Sequence, residues 1–165
     1  MNRAMSNIYQ GELIEMSLSI FEDLPGVART EGEAFVAVSN GHGGWQMALS
    51  NTLSRGDRVL VLESGVFATS WGRMAETSGL DVQVLPGRHR LPVDVDAVEA
   101  TLREDTAHAI KAILVVQVDT ASSVLNDIAA IRRAIDAAGH PALFMVDCIA
   151  SLACDRYEMD EWGVD

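Results

Sequence analysis

Short apolar runs alternate along the chain with stretches in which apolar residues recur every three or four positions. Four of the short runs predict buried strands because they are brief and rich in Val, Ile and Leu: Arg58 to Leu62, Val82 to Leu85, Ala112 to Val118, and Ala142 to Val146. The last two show little alternation, which suits strands covered on both faces. Between them Ile128, Ile131 and Ile135 share one face of a helix predicted over Asp127 to Ala138, with Gly139 as its stop. Val95, Val98 and Leu102 repeat that spacing behind an expected cap, Asp94. Further helices are predicted over Ala68 to Ser78, ending at Gly79, over Trp45 to Leu53, opened by glycines, and over Gln10 to Phe21, which stands apart at the front. Pro25-Gly26 and Pro86-Gly87 read as ordinary turns.

Strand and helix in alternation predict an α/β fold with three layers: a mainly parallel sheet flanked by helices and joined by right-handed crossovers. The 165 residues suit a single domain and show no internal repeat or linker. Asp155 to Asp165 carries Tyr157, Met159, Trp162 and Val164 with no closing strand or helix, so the chain is expected to be part of a larger fold.

Charge narrows the chemistry. With 12 Lys plus Arg against 24 Asp plus Glu, the net charge of -12 repels nucleic acid and anionic membrane, and neither is an expected partner. Any phosphate must be held locally, by backbone N–H groups at a helix end. Hydrophobic residues make up 48% without any run near the ~20 needed to span a bilayer. Met1 to Gln10 is polar and lacks the form of an export signal, and Cys148 and Cys154 are not spaced as CxxC; they read as reduced, packing thiols of a cytoplasmic protein. The single lysine, Lys111, opens a strand and reads as a solvated charge. His89, His108 and His140 read as turn residues without metal-ligand spacing.

Four segments carry candidate chemistry. Ser39-Asn40-Gly41-His42-Gly43-Gly44-Trp45 puts glycines directly before a helix, which suits a phosphate, although a plain glycine-rich turn has the same composition. Asp147 ends a hydrophobic strand at the edge where open α/β sheets bind ligands; it suits a protonated ring nitrogen or a simple cap. Gln117 to Ser123 brings hydroxyls and a carboxylate to the same edge, or forms a Ser/Thr turn. Phe67, behind Glu63-Ser64-Gly65-Val66, either stacks on a planar ligand or packs in the core.

Taken in order, Gly41-His42-Gly43-Gly44-Trp45 leading to Ala48-Leu49-Ser50-Asn51, then Gly56-Asp57-Arg58-Val59-Leu60-Val61, Val124-Leu125-Asn126-Asp127 and Val146-Asp147-Cys148-Ile149-Ala150-Ser151-Leu152 resemble the class V pyridoxal-phosphate aminotransferases. These are enzymes of the alanine-glyoxylate and serine-pyruvate type, with fold type I, and the resemblance covers nearly the whole chain. It implies that Asn40, Gly41 and His42 hold the phosphate of pyridoxal 5'-phosphate and that Phe67 stacks on its ring. It further implies that Asp147 is the catalytic acid that keeps the ring nitrogen protonated, making the ring an electron sink. The family's Thr-Ser-Thr-Gly segment, which bonds the ring oxygen, falls on Thr120-Ala121-Ser122-Ser123. Its serine is Ala121 here, so Thr120 or Ser122 is expected to substitute.

The family's cofactor lysine follows a Gly-Ser-Gln segment that comes later than Asp165 in the family's order. Residues 1–165 are therefore expected to be one incomplete cofactor-binding large domain, inactive alone, without the lysine segment or the small C-terminal domain. The resemblance implies a homodimeric parent that exchanges an amino group between a small amino acid and a 2-oxo acid such as pyruvate or glyoxylate. Alternatives are a related class V enzyme, such as a pyridoxamine-pyruvate aminotransferase or a desulfurase with a mobile cysteine loop, and a non-catalytic Rossmann-like binding module.

Overall fold

The first helix runs farther than its apolar spacing predicts. In the computed structural model, which describes residues 7–165, α1 (Glu12–Ala28) continues through Pro25 and Gly26, so that pair is not a turn. Residues 1–6 of the polar N-terminal segment lie outside the described residues. A proline removes one helical N–H, but here it falls in the last turns, and the helix closes immediately after at Arg29, whose left-handed φ of 55° turns its N–H back toward Gly26 O. None of the residues of α1 is buried. Its C-terminal end is tied down by the far end of the chain: Met159 N–H donates to Ala28 O at 3.0 Å, Glu31 N–H to Asp160 at 2.8 Å, and Arg29 pairs with Glu158.

From there the alternation read from the sequence holds. The elements are α2 (Gly41–Thr52), β1 (Arg58–Leu62), α3 (Val66–Thr77), β2 (Asp81–Leu85), α4 (Val95–Glu104), β3 (Ile110–Val116), β4 (Val118–Asp119), β5 (Val124–Leu125), α5 (Ile128–Ala138) and β6 (Leu143–Asp147). Strands β2-β1-β3-β6 form one sheet, every pair parallel. The run predicted as one strand to Val118 breaks at Gln117, whose N–H donates to Asp147 O at 2.8 Å and whose carbonyl accepts from Asn126 N–H at 2.8 Å. Beyond it β4 and β5 pair as a small antiparallel hairpin, which apolar patterning over so few residues does not reveal.

Side chains alternate across a strand, and here both faces are covered. Leu60, Leu62, Ile113, Val115 and Phe144 pack with Val98 and Leu102 of α4 and Ile131 and Ile135 of α5. Val59, Val61, Leu114, Val116 and Met145 pack with Trp45 and Leu49 of α2 and Trp71 and Ala75 of α3. The result is a three-layer α/β fold. The tail is packed rather than loose: Tyr157 is buried, Trp162 and Val164 lie against the first of these clusters, and Asp165 N–H bonds Phe144 O at 3.0 Å along the outer edge of β6.

Two expectations are corrected at the margins. His140 does not solvate a turn; its side chain is fully buried. Its Nδ1 accepts from Ala142 N–H at 3.2 Å, so Nε2 carries the hydrogen and donates to Asp105 at 3.1 Å. Of the two cysteines, Cys148 is half-buried but Cys154 is exposed, so only the first fits the reading of a packing thiol. No helix among the described residues is long and apolar enough to cross a membrane.

Candidate functional site

Parallel strands joined by crossovers all end at one edge of the sheet, and the loops that leave them there form the natural ligand crevice. β1 delivers Glu63 to Phe67 to this edge, β3 delivers Gln117 to Ser123, and β6 ends in Asp147. Helix α2 starts there as well. Its first residue is Gly41 because Asn40 caps it, extended at φ -97° and ψ -176°, with the side-chain oxygen accepting from Gly43 N–H at 3.4 Å. The N–H groups of Gly41 and His42 have no carbonyl one turn back, which leaves a partial positive charge at the helix start. A Cβ on Gly41 would stand 2.8 Å from Ile149 Cδ1, so the turn and the loop behind Asp147 touch.

Trp45 joins these pieces. It lies one turn into α2, is 5% exposed, and donates its indole N–H to Asp147 Oδ2 at 2.9 Å. The other oxygen, Oδ1, accepts from Ile149 N–H at 2.9 Å. The same indole stacks on Trp71 with centroids 5.6 Å apart, meets Phe67 edge-on at 6.5 Å, and lies 4.6 Å from the His42 ring. The carboxylate of Asp147 is thus fixed in direction, and each oxygen keeps a lone pair for another donor. Sequence reasoning passed Trp45 over as a residue that opens a helix. The available signal was its amphipathic chemistry, since a buried indole N–H must find an acceptor.

The loop behind β3 separates the two candidate hydroxyls, Thr120 and Ser122. Ser122 Oγ donates to Ser64 O at 2.8 Å, so its only hydrogen is committed. Thr120 is exposed beside it and, of the two candidates, is the hydroxyl left to donate. Ala121, where the resemblance expects a serine, is exposed, and Ser123 sits in the left-handed region at φ 58°. Next to Asp147, burial and then the carboxylate itself push the Cys148 thiol up to about 11. Burial, followed by the neighbouring Cys148, likewise raises Tyr157. A cavity of about 350 Å³ adjoins the site through Ser64, Gly65 and Ser122, is lined also by Arg88 and Arg90, and does not include Asn40 or Asp147 in its lining.

The structure therefore brings Asn40, Gly41, His42, Phe67, Thr120, Ser122 and Asp147 to one edge. Lys111 stands at the other end of β3, exposed, its ammonium donating to His108 O at 2.9 Å. No group of three or more His, Cys, Asp or Glu side chains arranged for a metal ion occurs among the described residues.

Comparison with known proteins gives a consistent result. The profile of the family described as aminotransferase class-V matches residues 30–165. A serine–glyoxylate aminotransferase of Methylorubrum extorquens is 45% identical over 147 residues, 88% of this chain and 37% of that protein. An L-aspartate–glyoxylate aminotransferase of Paracoccus denitrificans is 43% identical over 136 residues, covering 82% of this chain and 34% of its own length. The solved structure of a subgroup IV aspartate aminotransferase from Thermus thermophilus superposes with a TM-score of 0.87 at 24% identity, over 99% of this chain and 45% of that one. The chain thus spans little more than a third of the length of these two curated relatives.

Proposed function

The chain belongs to the class V aminotransferases, and from that premise we propose that the intact protein transfers an amino group between an amino acid and a small 2-oxo acid. The two curated relatives named above carry glyoxylate in their names, which favours glyoxylate over pyruvate as the acceptor. Pyridoxal 5'-phosphate is the cofactor of the family, and the residues present fit it. The open N–H groups of Gly41 and His42 with the Asn40 side chain suit its phosphate. Phe67 offers an aromatic face beside Trp45. Asp147 offers a carboxylate held by Trp45 and Ile149 with lone pairs to spare. Thr120 takes the ring-oxygen contact that the family gives to the serine replaced by Ala121, because Ser122 is already bonded to Ser64.

When bound, the cofactor supplies an electron sink for the bond broken at the amino acid's α-carbon. The chain's own part is to orient and tune it. Asp147 holds a proton at the ring nitrogen through its negative charge, Trp45 keeps that carboxylate from rotating away, and α2 anchors the phosphate. Lys111 takes no part, standing at the opposite edge. A desulfurase reading gains nothing from Cys148, whose thiol is pushed up to about 11 and so carries little of the reactive thiolate. Exposed Met16, Leu18, Ile20 and Phe21 on α1, with Phe35, Val36 and Val38 after it, support a homodimer in which a second copy covers them. The working location is the cytoplasm.

The observation that carries this proposal is the bond from Trp45 in the phosphate-turn helix to Asp147 at the strand end, which makes the two halves of the site one unit. Asp147→Asn in the intact enzyme tests it. The amide preserves shape but not charge, so kcat should fall roughly a hundredfold or more while the cofactor stays bound. Steady-state kinetics with an absorbance titration of the cofactor measure both quantities; undiminished turnover would remove Asp147 from the mechanism.

A further inference from the structure

Helix α3 carries Phe67 in its first turn but has no cap of its own. The residue at its cap position is Gly65, which has no side chain to accept from the first free N–H groups. Those groups are satisfied from across the site. Phe67 N–H donates to Asp119 Oδ2 at 2.8 Å and Ala68 N–H to the same oxygen at 3.2 Å, while Oδ1 accepts from Ala121 N–H at 3.1 Å. Asp119 is 0% exposed. A Cβ on Gly65 would lie 2.2 Å from the Asp119 carboxyl carbon and 2.5 Å from each oxygen, so the carboxylate stands where a cap side chain would otherwise go.

We propose that Asp119 is a positioning residue: it caps α3 from the β3–β5 segment and thereby fixes Phe67 and the Thr120–Ser122 loop relative to each other. The inference rests on the proposed cofactor site for its consequence, but not for its geometry. A carboxylate at a helix N-terminus is favoured by the dipole as well as by the bonds themselves. Because one side chain holds both the helix start and the loop, loss of its bonds frees the aromatic ring and the ring-oxygen hydroxyl together. Gly65 follows from the same arrangement, since any larger residue displaces the cap.

Amide hydrogen exchange on the 165-residue chain tests the cap directly. In Asp119→Ala the Phe67 and Ala68 amides should exchange about tenfold faster or more, while those of Leu114 and Val116 in the sheet centre keep their rates. Asp119→Asn, which retains one acceptor oxygen, should restore part of the protection, and it serves if the alanine variant does not fold. The second arm is a titration of the intact protein with pyridoxal 5'-phosphate followed by absorbance. Asp119→Asn should weaken binding several-fold in the otherwise unaltered intact protein and less than twofold in a Phe67→Ala background, because it acts through the ring. Unchanged exchange at Phe67 and Ala68, or an equal loss of affinity in both backgrounds, overturns the proposal. An exchange effect in the chain together with an intact protein that binds no cofactor keeps the cap and overturns the cofactor reading instead.

Discussion

Asp105 and Asp119 lie at opposite edges of the same sheet, and each accepts three N–H bonds. Asp105 takes Ala109 N–H at 3.0 Å, Ile110 N–H at 2.8 Å and His140 Nε2 at 3.1 Å. Asp119 takes Phe67, Ala68 and Ala121 N–H. The first set ties the loop entering β3 to the loop entering β6, and nothing it holds faces a ligand. The second set ties the helix that carries Phe67 to the loop that carries Thr120. A carboxylate that accepts several N–H bonds is therefore no marker of a functional site in itself; what matters is which groups its donors belong to. The strand direction decides this, since in a parallel sheet one edge receives all the helix starts that follow strands and the other all the helix ends.

The largest effect that separates the two should come from Asp105→Ala. It leaves the buried His140 N–H and two backbone N–H groups without an acceptor, and urea unfolding should show a loss of about 2–3 kcal/mol. Exchange at Phe67 and Ala68, corrected for global stability, should not respond; a response there would erase the distinction between the edges. Burial alone would raise the Asp105 carboxyl, but the Ile110 and Ala109 N–H bonds and His140 outweigh it and hold it below its ordinary 3.8. A lowered carboxyl stabilises the fold above its ordinary value and loses that contribution as pH falls through the folded value. Acid unfolding below pH 3.8 should accordingly be less steep in Asp105→Asn than in the unaltered protein.

A smaller change, of opposite sign, is expected beside Asp119. Ser123 closes the turn whose N–H bonds Asp119 O at 2.8 Å and holds φ 58°, a conformation that costs a residue with a Cβ. Ser123→Gly should raise stability by about 0.5–1 kcal/mol in urea titrations without altering exchange at Phe67. A loss would mean that the Ser123 side chain does something the backbone strain does not explain. The smallest effect is at Lys111. Lys111→Gln should leave stability within about 0.5 kcal/mol, since the ammonium is exposed and reaches only the His108 carbonyl. Borohydride reduction of the chain treated with stoichiometric pyridoxal 5'-phosphate should leave Lys111 unlabelled in peptide maps.

Much of the fold was legible locally. Helices α4 and α5 begin where their sequences say, because Asp94 accepts from Ala97 N–H at 3.3 Å and Asp127 from Ala130 N–H at 2.8 Å. Gly139 ends α5 at φ 64° as a left-handed stop. β1 matches its apolar run residue for residue, and the three-layer parallel sheet follows from the alternation. The candidate site residues were legible too, as strand-end and helix-start positions, because a parallel α/β chain must deliver them to one edge.

What the sequence could not carry depends on groups brought together from far apart in the chain. Pro25 and Gly26 read as a turn by themselves, yet they lie within α1, whose end is bonded to Met159 and Asp160. His140 reads as a solvated turn residue until Asp105 meets it. Trp45 reads as the opening of a helix until its N–H reaches Asp147, and Gly65 as part of a segment past a strand end until Asp119 takes the place of a cap side chain. Periodicity and capping residues act over a few neighbouring positions and so determined the elements and their order. Only the tertiary structure decided which buried donor meets which acceptor, because an unpaired polar group in the interior costs enough to force a partner but does not say where along the chain that partner lies.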